Sequence, residues 1–157
     1  MAYAQLGDAE KAWALLRMIN PVRQGCSALI DTYKIEPYVM AADVYALAPH
    51  AGRGGWSWYT GSAGWMYRLI IESLLGLHRS GDTLRIQPLL PRGWPGYTVH
   101  YRFGNTPYRI EVHNSADTAL TLTLDGHLLT QPTLPLTDDG TLHRVIAQCQ
   151  PSPLPMD

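Results

Sequence analysis

Between residues 52 and 65 the chain reads Gly52-Arg53-Gly54-Gly55-Trp56-Ser57-Trp58-Tyr59-Thr60-Gly61-Ser62-Ala63-Gly64-Trp65, a concentration of glycines, aromatics and hydroxyls found nowhere else in it. Glycines let a backbone approach a ligand closely, and flat aromatic faces stack on the apolar faces of sugar rings. Thr60-Gly61-Ser62 falls where a helix is expected to begin. Free N–H groups and the positive end of the helix dipole suit such a place to an anion, with Thr60 and Ser62 adding hydroxyl donors. No acidic residue stands in that first turn, which leaves room for a phosphate. The same residues would equally serve a packed helix, with Thr60 or Ser62 as its cap and the tryptophans as core. A short glycine-rich stretch taken alone does not decide between the two.

Other chemistry-bearing residues are more scattered. Glu36 precedes a proline in Ile35-Glu36-Pro37-Tyr38, where it could bind a sugar hydroxyl, act as an acid, pair with an arginine or cap a helix. No second carboxylate stands beside it in sequence, so a two-carboxylate glycosidase pair is not defined. His50 and Arg53 could meet an anion together or lie in a solvated loop. The remaining histidines lack ligand spacing, so no metal is expected. No nucleophile-elbow pattern supports a serine triad, and Cys26 and Cys149 have no activating neighbours. No catalytic residue is assigned.

The elements that must position these residues change character near residue 80. A helix is expected from Asp8, its cap, through Glu10, Trp13, Leu16 and Arg17 to a stop at Asn20-Pro21, with Ala12, Leu15, Leu16 and Ile19 on a buried face. Residues 1 to 6 read as the tail of an earlier helix, as if the chain were cut. A second helix is expected from Pro37 to Tyr45. A third runs from Ser62 to Leu77 behind a broad apolar stripe that includes Trp65, Leu69, Ile70 and Leu74. Helices this apolar call for further helices to pack against, and an exposed apolar patch of this kind predicts a homo-oligomer.

Beyond the turn at Arg79-Ser80-Gly81-Asp82 the period becomes two. Tyr97, Val99, Tyr101 and Phe103 alternate with polar residues, and after Gly104-Asn105 so do Tyr108, Ile110 and Val112, which makes a hairpin. Leu120, Leu122 and Leu124 form another strand closed by Asp125-Gly126, and a last strand covers Leu142 to Gln148. Four or more antiparallel strands with frequent turns predict a β-sandwich. The tail from Pro151 is expected to be disordered. The whole is an α+β chain, with a helical part over 1–80, a β-sandwich over 81–150 and a tail over 151–157.

The sums fit that reading. A chain of 157 residues with 46% apolar and 16% charged residues can bury a sizeable core as one domain or two small ones. The net charge of -1 argues against nucleic-acid binding. No apolar run is long enough to span a membrane, and the first residues lack a secretory signal, so no membrane contact and a cytoplasmic location are expected.

The run from Tyr33-Lys34-Ile35-Glu36-Pro37-Tyr38 through Asp43-Val44-Tyr45, followed by Gly52 to Arg68, resembles glycoside hydrolase family 94. So do Gly7-Asp8, Ala12-Trp13, Asn20-Pro21, Asp82 to Pro88 and Pro91-Arg92-Gly93-Trp94-Pro95-Gly96, and the resemblance covers about residues 1 to 145. Its pattern is that of the C-terminal region in the cyclic β-1,2-glucan synthase branch. The resemblance implies the last helices of an (α/α)6 barrel followed by a jelly-roll-like antiparallel β-sandwich. It implies inverting phosphorolysis of β-glucans, with inorganic phosphate as co-substrate, no other cofactor, and Thr60-Gly61 as the phosphate-binding pair. Trp58, Tyr59 and Glu36 are the sugar-contacting candidates.

The family's general acid, histidine and arginine lie in earlier motifs that this sequence does not contain. By this comparison the chain is a C-terminal fragment, inactive alone, whose partners are a β-glucan oligosaccharide, phosphate and the missing N-terminal part of the barrel. Its parent is expected at the cytoplasmic face of the inner membrane. The disaccharide phosphorylases carry a Gln near the position of Ala42, and its absence fits the glucan-synthase branch. The alternative is a non-enzymatic carbohydrate-binding or interaction module built on Trp56, Trp58 and Tyr59. A third reading is an inert remnant.

Overall fold

The computed structural model describes residues 1–26, 28–58, 60–115 and 119–150. The chain forms two compact units, Lys11–Leu69 on the one hand and Met1–Glu10 with Ile70–Asp157 on the other.

The helical elements are short. A single turn, α1 (Ala2–Gln5), precedes α2 (Ala9–Ile19), which ends where Asn20-Pro21 was expected to stop it. That pair also starts the next helix, α3 (Pro21–Gly25): the Asn20 side chain accepts from the Val22 N–H at 3.0 Å, and Pro21 takes a position where no amide hydrogen is required. Along α2 only part of the expected face is covered. Ala12 and Leu16 are buried, whereas Leu15, Ile19 and Met18 are exposed. A further turn, α4 (Ile30–Tyr33), leads to a small core of Tyr33, Ile35 and Val39.

The helix expected from Pro37 to Tyr45 does not form. Residues 42–45 are extended and pair with 53–56: the Ala42 N–H donates to the Trp56 carbonyl at 2.9 Å and the Gly55 N–H to the Asp43 carbonyl at 2.8 Å, flanking a bridge between Val44 and Gly54. Backbone groups that a helix would have paired locally are satisfied across this ladder instead. The third helix, α5 (Thr60–Arg68), runs on into a π-helical stretch at Leu69–Leu74 and stops before Leu77, which already belongs to a strand.

The second unit is built of two sheets. One has the order β1 (Leu77–Ser80), β2 (Thr83–Ile86), β7 (Thr133–Pro135). The other has the order β3 (Gly96–Phe103), β4 (Thr106–Asn114), β8 (His143–Cys149), β5 (Thr121–Leu124), β6 (His127–Leu128). The first sheet thus begins within the stretch read as the end of the helical half. The β3–β4 hairpin turns at Gly104-Asn105, as its alternation predicts. At Asp125-Gly126 both residues have positive φ, 48° and 85°, which is the backbone a tight hairpin of this twist requires. One pairing departs from the expected antiparallel pattern: β8 runs parallel to β4. A single core holds inward residues of both sheets, including Leu84, Ile86, Leu134, Ile110, Leu122 and Val145, each at most 1% exposed. Each such side chain contributes about 1.5–3 kcal/mol by leaving water. The tail expected to be disordered lies outside the described residues.

Candidate functional site

Glycine-rich residues 52–55 do their work within the chain. A Cβ at Gly54 would run into Ile35, and one at Gly55 would collide with the Asp43 carboxylate, so these two residues allow the ladder between 42–45 and 53–56 to close. The ladder delivers the following residues, Trp56 to Trp58, to the surface just ahead of α5. Trp56, Trp58 and Trp65 are 71%, 68% and 59% exposed, so these tryptophans are not core.

Trp58 is held in an unusual way. Its φ is 61°, the left-handed region, where a bulky side chain costs of order 1–3 kcal/mol and needs outside support. Support comes from Glu36: the Trp58 indole N–H donates to Glu36 Oε1 at 3.1 Å. The Tyr38 ring meets the Trp58 ring edge-on, with centroids 6.2 Å apart and planes at 71°. The Glu36 carboxyl lies below the ordinary range, held there by its own backbone N–H, then by the Trp58 indole and the Ser57 hydroxyl, against a smaller opposing effect of burial. At neutral pH it is therefore a carboxylate, suited to accept from a hydroxyl and not to serve as an acid. Of the alternatives open to Glu36, neither an arginine partner nor a helix cap is found among the described residues.

Helix α5 begins at Thr60-Gly61, the place where the sequence expects it, and its first turn carries no acid. Gly61 is exposed. Tyr59 and the side chain of Thr60 lie outside the described part. His50 and Arg53 are joined by a backbone hydrogen bond of 3.0 Å from Arg53 N–H to the His50 carbonyl, and His50 lies beside the Tyr45 ring. Separately, Met18, Ile19, Leu29, Tyr33 and Val44 line an apolar groove of about 320 Å³.

Sequence reasoning missed Tyr38 as the partner of Trp58, although it stands in the same Glu-Pro-Tyr motif as Glu36. It also missed a histidine in the β unit. His143 Nδ1 lies 2.6 Å from Asp125 Oδ2 and its Nε2 lies 3.1 Å from Asp139 Oδ2, with the Tyr108 ring stacked at 5.0 Å. The Asp125 hydrogen bond does most to raise the His143 pKa, with burial opposing and Asp139 helping. Backbone and hydroxyl donors of Thr141 hold Asp139 down to about 2. In the protonated form both imidazole nitrogens donate to carboxylates, an arrangement that ties two turns together and engages both ring nitrogens within the chain.

Cys149 is buried, and burial pushes its thiol pKa up; Cys26 is exposed and unpaired with another cysteine. Among the described residues no cluster of three or more His, Cys, Asp or Glu could hold a metal ion, and no helix is long and apolar enough to cross a membrane.

Comparison with known proteins agrees with the motifs that surround this site. Residues 1–76 match the catalytic domain of the glycosyl hydrolase 94 superfamily, and residues 77–131 match the C-terminal domain of glycosyl hydrolase family 65. Over 113 residues, 71% of its length, the chain is 50% identical to the cyclic beta-(1,2)-glucan synthase NdvB of Rhizobium meliloti, of which it covers 4%. It is 30% identical to the solabiose phosphorylase of Paenibacillus borealis, over 70% of the chain and 15% of that enzyme. It is 31% identical to the N,N'-diacetylchitobiose phosphorylase of Vibrio furnissii, over 73% of the chain and 14% of that enzyme. The chain therefore spans a small fraction of the length of these relatives. On its motifs and these matches, the chain belongs to glycoside hydrolase family 94.

Proposed function

We propose that the chain supplies part of the phosphate and sugar site of a phosphorylase-type domain that acts on β-glucans, of the kind found with cyclic β-1,2-glucan synthesis. In this reading inorganic phosphate is the nucleophile. One of its oxygens bonds to the anomeric carbon from the side opposite the glycosidic oxygen. The old C–O bond breaks, the departing oxygen takes a proton from a general acid, and a sugar 1-phosphate is released with inverted configuration. Thr60 and Gly61, at the start of α5, receive the phosphate, and fixed donors there supply both position and charge stabilisation. Trp58, Tyr59 and Glu36 contact the sugar. The general acid comes from outside these residues, on helices that complete the barrel, and the chain by itself is inactive. Its place is cytoplasmic.

The observation that carries the reading is the order along the chain: an exposed, Glu36-held Trp58 is followed two residues later by a helix whose first turn is free of acidic residues. An amide NMR titration of the chain with inorganic phosphate tests it. Saturable shifts centred on Thr60, Gly61 and Ser62 are expected. A folded chain with no shift there overturns the phosphate assignment.

The exposed rings of Trp56, Trp58 and Tyr38 favour a second reading, a carbohydrate-binding module without catalysis. A β-glucan oligosaccharide that shifts these residues while phosphate shifts nothing would select it. The exposed apolar residues Leu15, Met18, Ile19 and Leu29 support a homo-oligomer. Light scattering that shows a monomer throughout the micromolar range would refute that.

A further inference from the structure

The outer face of the five-stranded sheet carries charge in a pattern that the sequence order hides. Register places His100 of β3 beside Arg109 of β4, and Arg109 beside Arg144 of β8. The inward residues of the same strands fill the core, so these three side chains stand in one row on the opposite face. Neighbouring strands lie about 4.8 Å apart, which brings the row within about 10 Å. Arg102 follows two residues beyond His100 on that face, and all four residues are exposed. Arg109 and Arg144 are like charges side by side on a sheet, which destabilises it, so this pair needs compensation.

Compensation within the chain is partial. Glu111 pairs with Arg109 at 2.8 Å and approaches His113 at 3.6 Å. Arg102 donates through Nε to the Gly104 carbonyl at 3.2 Å, at a turn whose Asn105 N–H is held by the Asp138 carboxylate. Among the described residues no carboxylate forms an ion pair with the guanidinium of Arg102 or Arg144, although Asp125 Oδ1 accepts from the Arg144 backbone N–H at 2.8 Å. Beside the row, in the next register, stand two exposed apolar side chains, Ile146 at 42% and Leu128 at 69%, flanking Thr123. This happens on a chain whose net charge is -1, so the cationic face is a local feature and not a general excess of basic residues.

We propose that this face docks an acidic segment of a different polypeptide, whose carboxylates pair with Arg102, His100 and Arg144 and whose apolar residues cover Ile146 and Leu128. Charge complementarity selects that occupant. The five strands offer about 500 Å², the share that one partner gives to a small, transient interface. Glu111, in the middle of the face, opposes a uniformly anionic surface such as a bilayer. A polypeptide can place its carboxylates to either side of it, which sets register as well as attraction.

The test uses the full chain and a fluorescein-labelled oligoglutamate peptide, read by fluorescence anisotropy. Saturable binding that weakens with added salt is expected, together with a loss of about tenfold in the Arg102→Glu/Arg144→Glu variant. Arg17→Glu/Arg23→Glu, on α2 and α3, is expected to bind as the parent does. Arg144→Gln, which removes charge without reversing it, is expected to fall between, and near-ultraviolet circular dichroism shows whether each variant is folded. No binding, or an equal loss in the α2–α3 variant, overturns the proposal. So does binding to phosphatidylserine vesicles with none to the peptide.

Discussion

Glu36 and Trp58 stand 22 positions apart in sequence, and a 3.1 Å hydrogen bond from the indole N–H to the carboxylate joins them. The bond holds an exposed tryptophan in a backbone conformation it would not choose alone. It also sets the direction in which the indole face looks, and this decides what a sugar ring could stack upon.

Trp58→Ala is therefore expected to weaken binding of a β-glucan oligosaccharide about three- to tenfold, the worth of one aromatic face, with little change in stability at so exposed a position. Glu36→Gln keeps an acceptor oxygen for the indole and should retain most of the binding, whereas Glu36→Ala should lose about as much as Trp58→Ala. Isothermal titration calorimetry with the three variants checks the order. Full binding by Glu36→Ala would show that the hydrogen bond does not position the ring.

Thr60→Ala is expected to weaken phosphate binding about tenfold, as loss of a hydroxyl donor to an anion does, while the affinity for oligosaccharide stays the same. The pair of titrations separates an anion site from a stacking platform. Equal, small effects on both ligands would count against each.

Stability should depend on pH from two sides through one cluster. His143 has a raised pKa, so its contribution is complete below the ordinary 6.5 and fades as pH climbs through the raised value. Asp125 and Asp139 have lowered values, so theirs is complete above 3.8 and fades as pH drops towards about 2 for Asp139. The groups facing His143 are those two carboxylates, the Tyr108 ring and the hydroxyls of Thr137 and Thr141. Thermal melts across pH should show a plateau from about pH 4 to 6.5, and His143→Gln should flatten the alkaline limb. An unchanged alkaline limb in that variant would rule out the histidine as its source.

Gly55→Ala is expected to destabilise the ladder between 42–45 and 53–56 by about 1–3 kcal/mol, because the new Cβ meets the Asp43 carboxylate. Asp43→Ala removes the obstacle, so the double variant should recover most of the loss. A double-mutant cycle by urea unfolding measures the coupling; additive effects would mean that the collision is relieved in some other way.

The parts of this molecule that sequence discloses are those with local signals. The alternation from Tyr97 to Phe103, the Asp125-Gly126 turn, the halt at Asn20-Pro21 and the start of α5 at Thr60 all depend on a few consecutive residues. Pro37 and the apolar residues after it carry an equally local helical signal. It is overridden because Ala42 to Tyr45 find partners in residues 53–56. Strand β1 was hidden for a related reason. Leu74, Leu75 and Leu77 continue an apolar stripe, but at Gly76 (φ 69°) the chain presses against the Gln87 carbonyl and leaves the helix. The parallel pairing of β4 with β8, the row of His100, Arg109 and Arg144, and the clamp on His143 depend on residues far apart in the chain, and no period or motif announces them.

Strand β8 lies between β4 and β5, although it follows both of them in sequence. Until residues 143–149 emerge, the β3–β4 hairpin and the β5–β6 hairpin are two separate ribbons, each with an uncovered edge on the side where β8 will enter. Synthesis adds about 5–20 residues per second, so the nascent unit spends on the order of seconds in that open form, without Val145 and Ala147 beside Ile110, Val112 and Leu122. A stop codon or a protease cut ahead of His143 would make that interval permanent. The sheet thus depends on β8 more than on any strand at its rim: losing β8 leaves the remaining strands with edges that invite aggregation instead of a shortened version of the same sheet.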